Sequence, residues 1–113
     1  DGKFTAKKHT VKNHNLFDSN IKSVEKIIQL CQKKNIKILF ITTPTHLTYY
    51  KNLNQIQLSK TIKTINELVQ KNQNCSYLNL LKSDKFITSD FYDADHLNDI
   101  GAKKLSLMLN KKN

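Results

Sequence analysis

The chain contains no arginine: its 19 basic residues are all lysines, set against 9 acidic residues for a formal net charge of +10. Such an excess ordinarily points to a polyanionic partner. The planar guanidinium fork that reads bases and phosphates is absent, however, and the lysines are scattered among many Asn and Ile. The pattern argues against specific nucleic-acid recognition and leaves only loose electrostatic attraction. Cysteine is scarce too. Cys31 and Cys75 stand far apart and form no C-x-x-C, which removes zinc knuckles and dithiol redox motifs. Each is expected to be a small buried hydrophobe. No run of about 18 apolar residues occurs, and the opening "DGKFTAKKHT" has no apolar core of a signal peptide. The chain therefore reads as soluble, with the compartment of any parent polypeptide open, extracytoplasmic or membrane-anchored locations included.

What is present fits one domain of modest size, 38% hydrophobic. Residues 1–17 are polar without a clear period and read as an arm or loop, leaving 18–113 as the folded part. In "DSNIKSVEKIIQLCQKKN", Asp18 or Ser19 offers an N-cap, and Ile21, Val24, Ile28 and Cys31 recur at helical spacing, with Ile27 and Leu30 widening the stripe. "IKILFIT", Ile36 to Thr42, is almost continuously apolar and β-branched, the pattern of a strand covered on both faces. Pro44 ends it. A second amphipathic helix follows from about Leu53 to Asn72 through Leu58, Ile62, Ile65 and Val69, supported by Ile56 and Leu68. "CSYLNLL" makes a second strand, and Asn98 caps a last helix whose inward face is Ile100, Leu105, Met108 and Leu109.

Strands separated by a full helix pair in parallel through a right-handed crossover. The expected fold class is α/β, a three-layer α/β/α sandwich with a parallel sheet. Two strands fall short of the usual complement, so the chain reads as part of a larger sheet unless residues His9 to Val11 supply a further strand.

Ligands of open α/β sheets gather beyond the carboxyl ends of the strands. Two loops leave such ends. "TPTHLTYY" carries Thr45, His46, Tyr49 and Tyr50, and "KSDKFITSDFYDADH" carries Asp93, Asp95 and His96. The D-x-x-H of Asp93 and His96 admits three readings: an acid at the positive end of the last helix with a packing histidine, a metal site together with Asp95, or a carboxylate–imidazole pair that activates a nucleophile. No second His or Cys at ligand spacing accompanies the metal option.

"FYDADHLNDIGAKKL" resembles the last sequence block of the SGNH/GDSL hydrolase superfamily, a D-x-x-H followed by a short turn, Gly-Ala and the C-terminal helix. The resemblance implies Asp93 as the triad acid and His96 as the general base, with Leu97, Asn98, Gly101 and Ala102 forming the turn and helix start. "IKILFITTPTH" and "CSYLNLL" are similar to the last two core strands of that flavodoxin-like fold, so the likeness extends over roughly Asn20 to Asn110. Thr45, His46 and Tyr49 would be substrate contacts, and no metal or other cofactor is implied.

The family's nucleophile lies in a Gly-Asp-Ser block after its first strand, with a Gly and an Asn from later loops completing the oxyanion hole. The only glycines here are Gly2 and Gly101, and neither Gly-Asp-Ser nor Gly-x-Asn-Asp occurs. Ser19 follows Asp18 in "FDSN", but Phe17 stands where the tight nucleophile turn needs Gly, and a helix N-cap explains the serine. Two functions follow as expectations. One is the base-bearing C-terminal portion of an esterase, O-acetyl hydrolase or acyltransferase acting on an acylated carbohydrate or other small ester of the cell envelope, inactive in isolation. The other is a non-catalytic binding or assembly module that keeps the turn for structural reasons. Either way a bare sheet edge predicts a partner, a missing N-terminal half or a second copy in a homo-oligomer.

Overall fold

The computed structural model describes residue 2 and residues 14–46, 55–93 and 95–112. Among these, three helices and two strands follow in the order α1 (His14–Lys33), β1 (Ile38–Thr42), α2 (Gln55–Lys71), β2 (Cys75–Asn79) and α3 (Asp99–Lys112), with a 3-10 turn at Thr88–Asp90. The fold is mixed α/β, and β1 and β2 are adjacent and parallel.

One compact unit holds α1, most of β1, α2 and most of β2. Its core is Ile28, Leu68 and Cys75, with Val24, Ile38, Phe40 and Val69 packed against them. Both helices and one face of β1 thus meet in a single cluster. The other face of β1 is not covered as expected: Leu39 and Ile41 remain 37% and 36% exposed. A continuous apolar run permits burial on both faces but cannot by itself supply the second layer.

Helix α1 begins at His14, upstream of Asp18, so the expected arm over residues 1–17 is already helical from residue 14 and Ser19 is an interior helical residue rather than an N-cap. The apolar stripe extends one step further back than the cap chemistry suggests. Phe17 is four residues before Ile21 and is partly buried, with the Lys60 ammonium 4.3 Å from its ring centre. The helix stops at Asn35, which adopts φ 58°, a left-handed conformation that asparagine tolerates better than most residues. In that geometry the Ile36 N–H reaches the Cys31 carbonyl at 2.8 Å and the Asn35 N–H the Gln32 carbonyl at 3.2 Å, a Schellman closure. Ile36 is consumed by this cap, which is why β1 starts at Ile38.

Asparagines then lock the turn after α2. The Gln32 amide donates to the side-chain oxygens of Asn72 (3.0 Å) and Asn74 (3.1 Å), and Asn74 donates to the Ile36 carbonyl at 3.2 Å. Three expected inward residues lie elsewhere. Ile56 and Ile100 are 83% and 66% exposed, and Cys31 is only partly buried, whereas burial pushes the Cys75 thiol pKa up, with a smaller push from Cys31. Ile56 sits in the first turn of α2 and Ile100 in the first turn of α3.

The second unit includes Thr42–His46 and everything described from Asn79 onward. Leu80, Leu81 and Phe86 are its buried apolar residues, and Pro44 is fully buried beside β1's end. No described helix is long and apolar enough to cross a membrane.

Candidate active site

The site is built on the segment between β2 and α3. After the 3-10 turn, Phe91 pairs with Leu97 in an antiparallel bridge, and the Tyr92 N–H donates to the His96 carbonyl at 2.9 Å. This pinches 92–96 into a tight loop that carries Asp93, Asp95 and His96 together. The base of the loop is held from both sides. The buried Asp90 carboxylate, 2% exposed, accepts the Ile87 N–H at 2.9 Å and the Lys104 ammonium at 2.6 Å. Lys104 also donates to the Lys85 carbonyl at 2.9 Å. The hydrogen bond from Lys104, then that from Ile87, holds the Asp90 carboxyl below its ordinary pKa against the opposing pull of burial.

Asn98 is the hinge between loop and helix. Its side-chain oxygen accepts the Gly101 N–H at 3.0 Å, the N-cap bond expected from the sequence, while its amide donates to the Ser89 carbonyl at 2.7 Å. Its own N–H reaches the Asp90 carbonyl at 2.9 Å. Gly101 has to be glycine here, since a Cβ at that position would overlap the Asp90 carbonyl oxygen and press on Leu97. The "HLN…G" spacing is thus a packing device that seats α3 directly under the loop.

On this support the His96 Nδ1 lies 2.8 and 3.1 Å from the two Asp93 carboxylate oxygens. Asp95 brings a second carboxylate oxygen to 3.0 Å of the same nitrogen, and its N–H donates to Asp93 at 3.2 Å. With Nδ1 carrying the proton toward these carboxylates, the neutral ring presents Nε2 as an acceptor. Among the described residues Nε2 has no partner, and the His96 side chain is 69% exposed. The hydrogen bond to Asp93 raises the His96 pKa, with the charges of Asp95 and Asp93 adding to it. For Asp93, partial burial pushes upward, but the His96 and Asp95 hydrogen bonds together outweigh it and leave the carboxyl below its ordinary pKa. The arrangement is chemically that of an oriented base. Asp93, Asp95 and His96 also bring one ligand atom each within 4.8 Å of one another, but those atoms already engage each other through the His96 N–H.

Thr45 and His46, expected as substrate contacts, sit in the same unit and line a cavity of about 520 Å³ with residues 81–84, 86–88 and Phe91. The His46 and Phe91 rings meet edge to face, with centres 6.1 Å apart. Tyr49 and Tyr50 lie outside the described residues. The cavity brings Thr45 and His46 together with residues 81–84, 86–88 and Phe91, and is lined by neither Asp93 nor His96. Phe86, Phe91, Asp90 and Lys104 were not singled out in the sequence. The available signal was the Phe-x-x-x-Asp-Phe spacing ahead of the D-x-x-H block, and nothing in it specifies a cavity.

The sequence comparison places the chain in a family on residues 4–101, which include the Asp93–His96 loop and the start of α3. The chain belongs to the family described as Protein of unknown function (DUF1574). No curated protein and no solved structure matches it.

Proposed function

We propose that these residues are the base-bearing C-terminal part of an SGNH/GDSL-like esterase, O-acetyl hydrolase or acyltransferase, acting on an acylated carbohydrate or another small ester. The observation that carries this reading is the 2.8 Å contact between Asp93 and the Nδ1 of an exposed His96 whose Nε2 is left without a partner among the described residues. Asp93 fixes the tautomer. Nε2 then takes the proton of a serine hydroxyl as its oxygen attacks the ester carbonyl, and returns that proton to the departing alkoxide. The serine and the oxyanion donors are supplied by sequence outside these 113 residues. The exposed Leu39–Ile41 face of β1 supports a three-layer α/β/α sheet completed by that additional sequence, because parallel strands are normally covered on both sides.

One specific observation favours a non-catalytic module instead: Asp95 shares Nδ1 with Asp93, as in a purely structural turn.

The test is hydrolysis of a small activated acetate ester. The 113-residue chain is expected to act no faster than free imidazole at matched concentration, whereas a longer polypeptide that contains an upstream Gly-Asp-Ser should turn the ester over and lose several orders of magnitude with His96→Ala. Turnover by the short chain that Ser19→Ala abolishes overturns the fragment reading, and a longer form indifferent to His96→Ala overturns the assignment of the base.

A further inference from the structure

The cavity beside the loop has its own chemistry. Leu81, Phe86 and Phe91 make its wall mainly apolar, and the first two are 6% and 8% exposed. Thr45 contributes one hydroxyl oxygen that is buried with no hydrogen-bond partner among the described residues. A buried hydroxyl without a partner costs free energy, and a ligand oxygen would relieve it. The volume of about 520 Å³ falls within the range of small-molecule pockets, roughly 300–1,000 Å³. An acetyl group would leave most of it unfilled. A sugar ring presents hydroxyls on every side, and His46, Lys82, Ser83, Asp84 and Thr88 also line the cavity, so a sugar is the competing occupant; the apolar surface of Leu81, Phe86 and Phe91 beside the orphan Thr45 hydroxyl favours an acyl chain.

We infer that this cavity binds a medium-chain acyl group, with the chain against Leu81, Phe86 and Phe91 and the acyl carbonyl accepting the Thr45 hydroxyl proton. Phe91 opens the 92–96 loop, so a carbonyl at the Thr45 end is held in the same unit as His96. The inference rests on the ester-cleaving reading for its biological meaning, but the binding itself requires no catalysis.

The probe is octanamide, a neutral non-hydrolysed acyl carbonyl, with acetamide and N-acetylglucosamine as comparisons, titrated into the ¹⁵N-labelled 113-residue chain. Octanamide is expected to saturate with shifts centred on Thr45, His46, the 81–88 segment and Phe91, and to bind at least tenfold more tightly than acetamide, as each buried methylene adds about 0.8 kcal/mol. Thr45→Val should weaken it severalfold. Ile87→Trp, at an exposed position of the lining, should block it while the spectrum stays dispersed. Tighter binding of N-acetylglucosamine than octanamide, shifts centred on Leu39 and Ile41 instead, or unchanged affinity in either variant overturns the inference. Octanamide binding as described together with an inert longer polypeptide removes the ester-cleaving reading alone, and acetate-ester turnover without octanamide binding removes the cavity assignment alone.

Discussion

Lys104, one turn into α3, places its ammonium 2.6 Å from the buried carboxylate of Asp90. The contact joins the last helix to the turn that precedes the candidate site, and neither residue belongs to the D-x-x-H block. Lys104→Met leaves Asp90 buried with only the Ile87 N–H, and removing one partner of a buried pair is costlier than removing both. Thermal unfolding of Lys104→Met should shift down by several degrees, and adding Asp90→Asn should recover part of the loss. The pH dependence has a definite sign. Because the folded carboxyl is held below its ordinary pKa, its contribution is complete above the unfolded value and disappears as pH falls through the folded one. The gap between wild type and Lys104→Met should therefore be constant near neutrality and close in acid.

Gly101→Ala tests whether the helix start is packed as tightly as the geometry says. On propensity alone alanine should help a helix by about 1 kcal/mol. The new methyl would instead meet the Asp90 backbone carbonyl, which cannot rotate away and already accepts the Asn98 N–H. Overpacking of this kind costs about 1–3 kcal/mol. Urea unfolding should show Gly101→Ala less stable than wild type, and a stabilised variant would mean that the carbonyl and the helix do not meet.

Element order, both strands and the Asn98 cap could be read from the sequence because each has a local cause: helical spacing in Ile21–Cys31 and Leu58–Val69, β-branching in Ile38–Ile41, and a cap residue three before Gly101. The start of α1 could not, because Asp18 and Ser19 are good caps that mask the continuation of the stripe to Phe17, whose ring is then covered by Lys60 from far along the chain. The roles of the asparagines other than Asn98 have no local signal in the sequence. Asn35, Asn72, Asn74 and Asn98 turn out to hold positive φ or side-chain hydrogen bonds that close turns. In the site, the Asp93–His96 contact was legible since both residues share one loop, whereas the Asp90–Lys104 pair and the cavity depend on long-range packing that no local spacing encodes.

The His96 titration discriminates between the two carboxylates. Its ring should titrate above the ordinary imidazole value, followed by NMR of the ring protons, and Asp93→Asn should bring it down further than Asp95→Asn, since the hydrogen bond to Asp93 is the leading cause. The sign for stability is opposite to that of Asp90. A raised histidine pKa adds stability that is fully present below the unfolded value and is lost as pH rises through the folded one, while the lowered Asp93 adds stability that is lost as pH falls through its folded value. The pair should stabilise the loop most in mildly acidic solution, between those two limits. A larger drop with Asp95→Asn would reassign the orienting acid.

The same pair makes a kinetic prediction for a polypeptide that also carries the Gly-Asp-Ser block. If His96 is the base, only its neutral form can accept the serine proton, so kcat/KM should fall about tenfold per pH unit below the His96 pKa and level off above it. Because Asp93 raises that pKa, Asp93→Asn should move the limb to lower pH. It should also cut the plateau, on the order of 10⁴-fold if the asparagine amide forces the wrong tautomer. The two effects have separate origins, charge for the limb and hydrogen-bond polarity for the plateau. Asp95→Asn removes charge but leaves the Asp93 hydrogen bond in place, so it should shift the limb slightly and cost less than about tenfold on the plateau. Equal losses from both variants would place the two carboxylates in one shared role, and a flat profile across the histidine range would take His96 out of the proton transfer altogether.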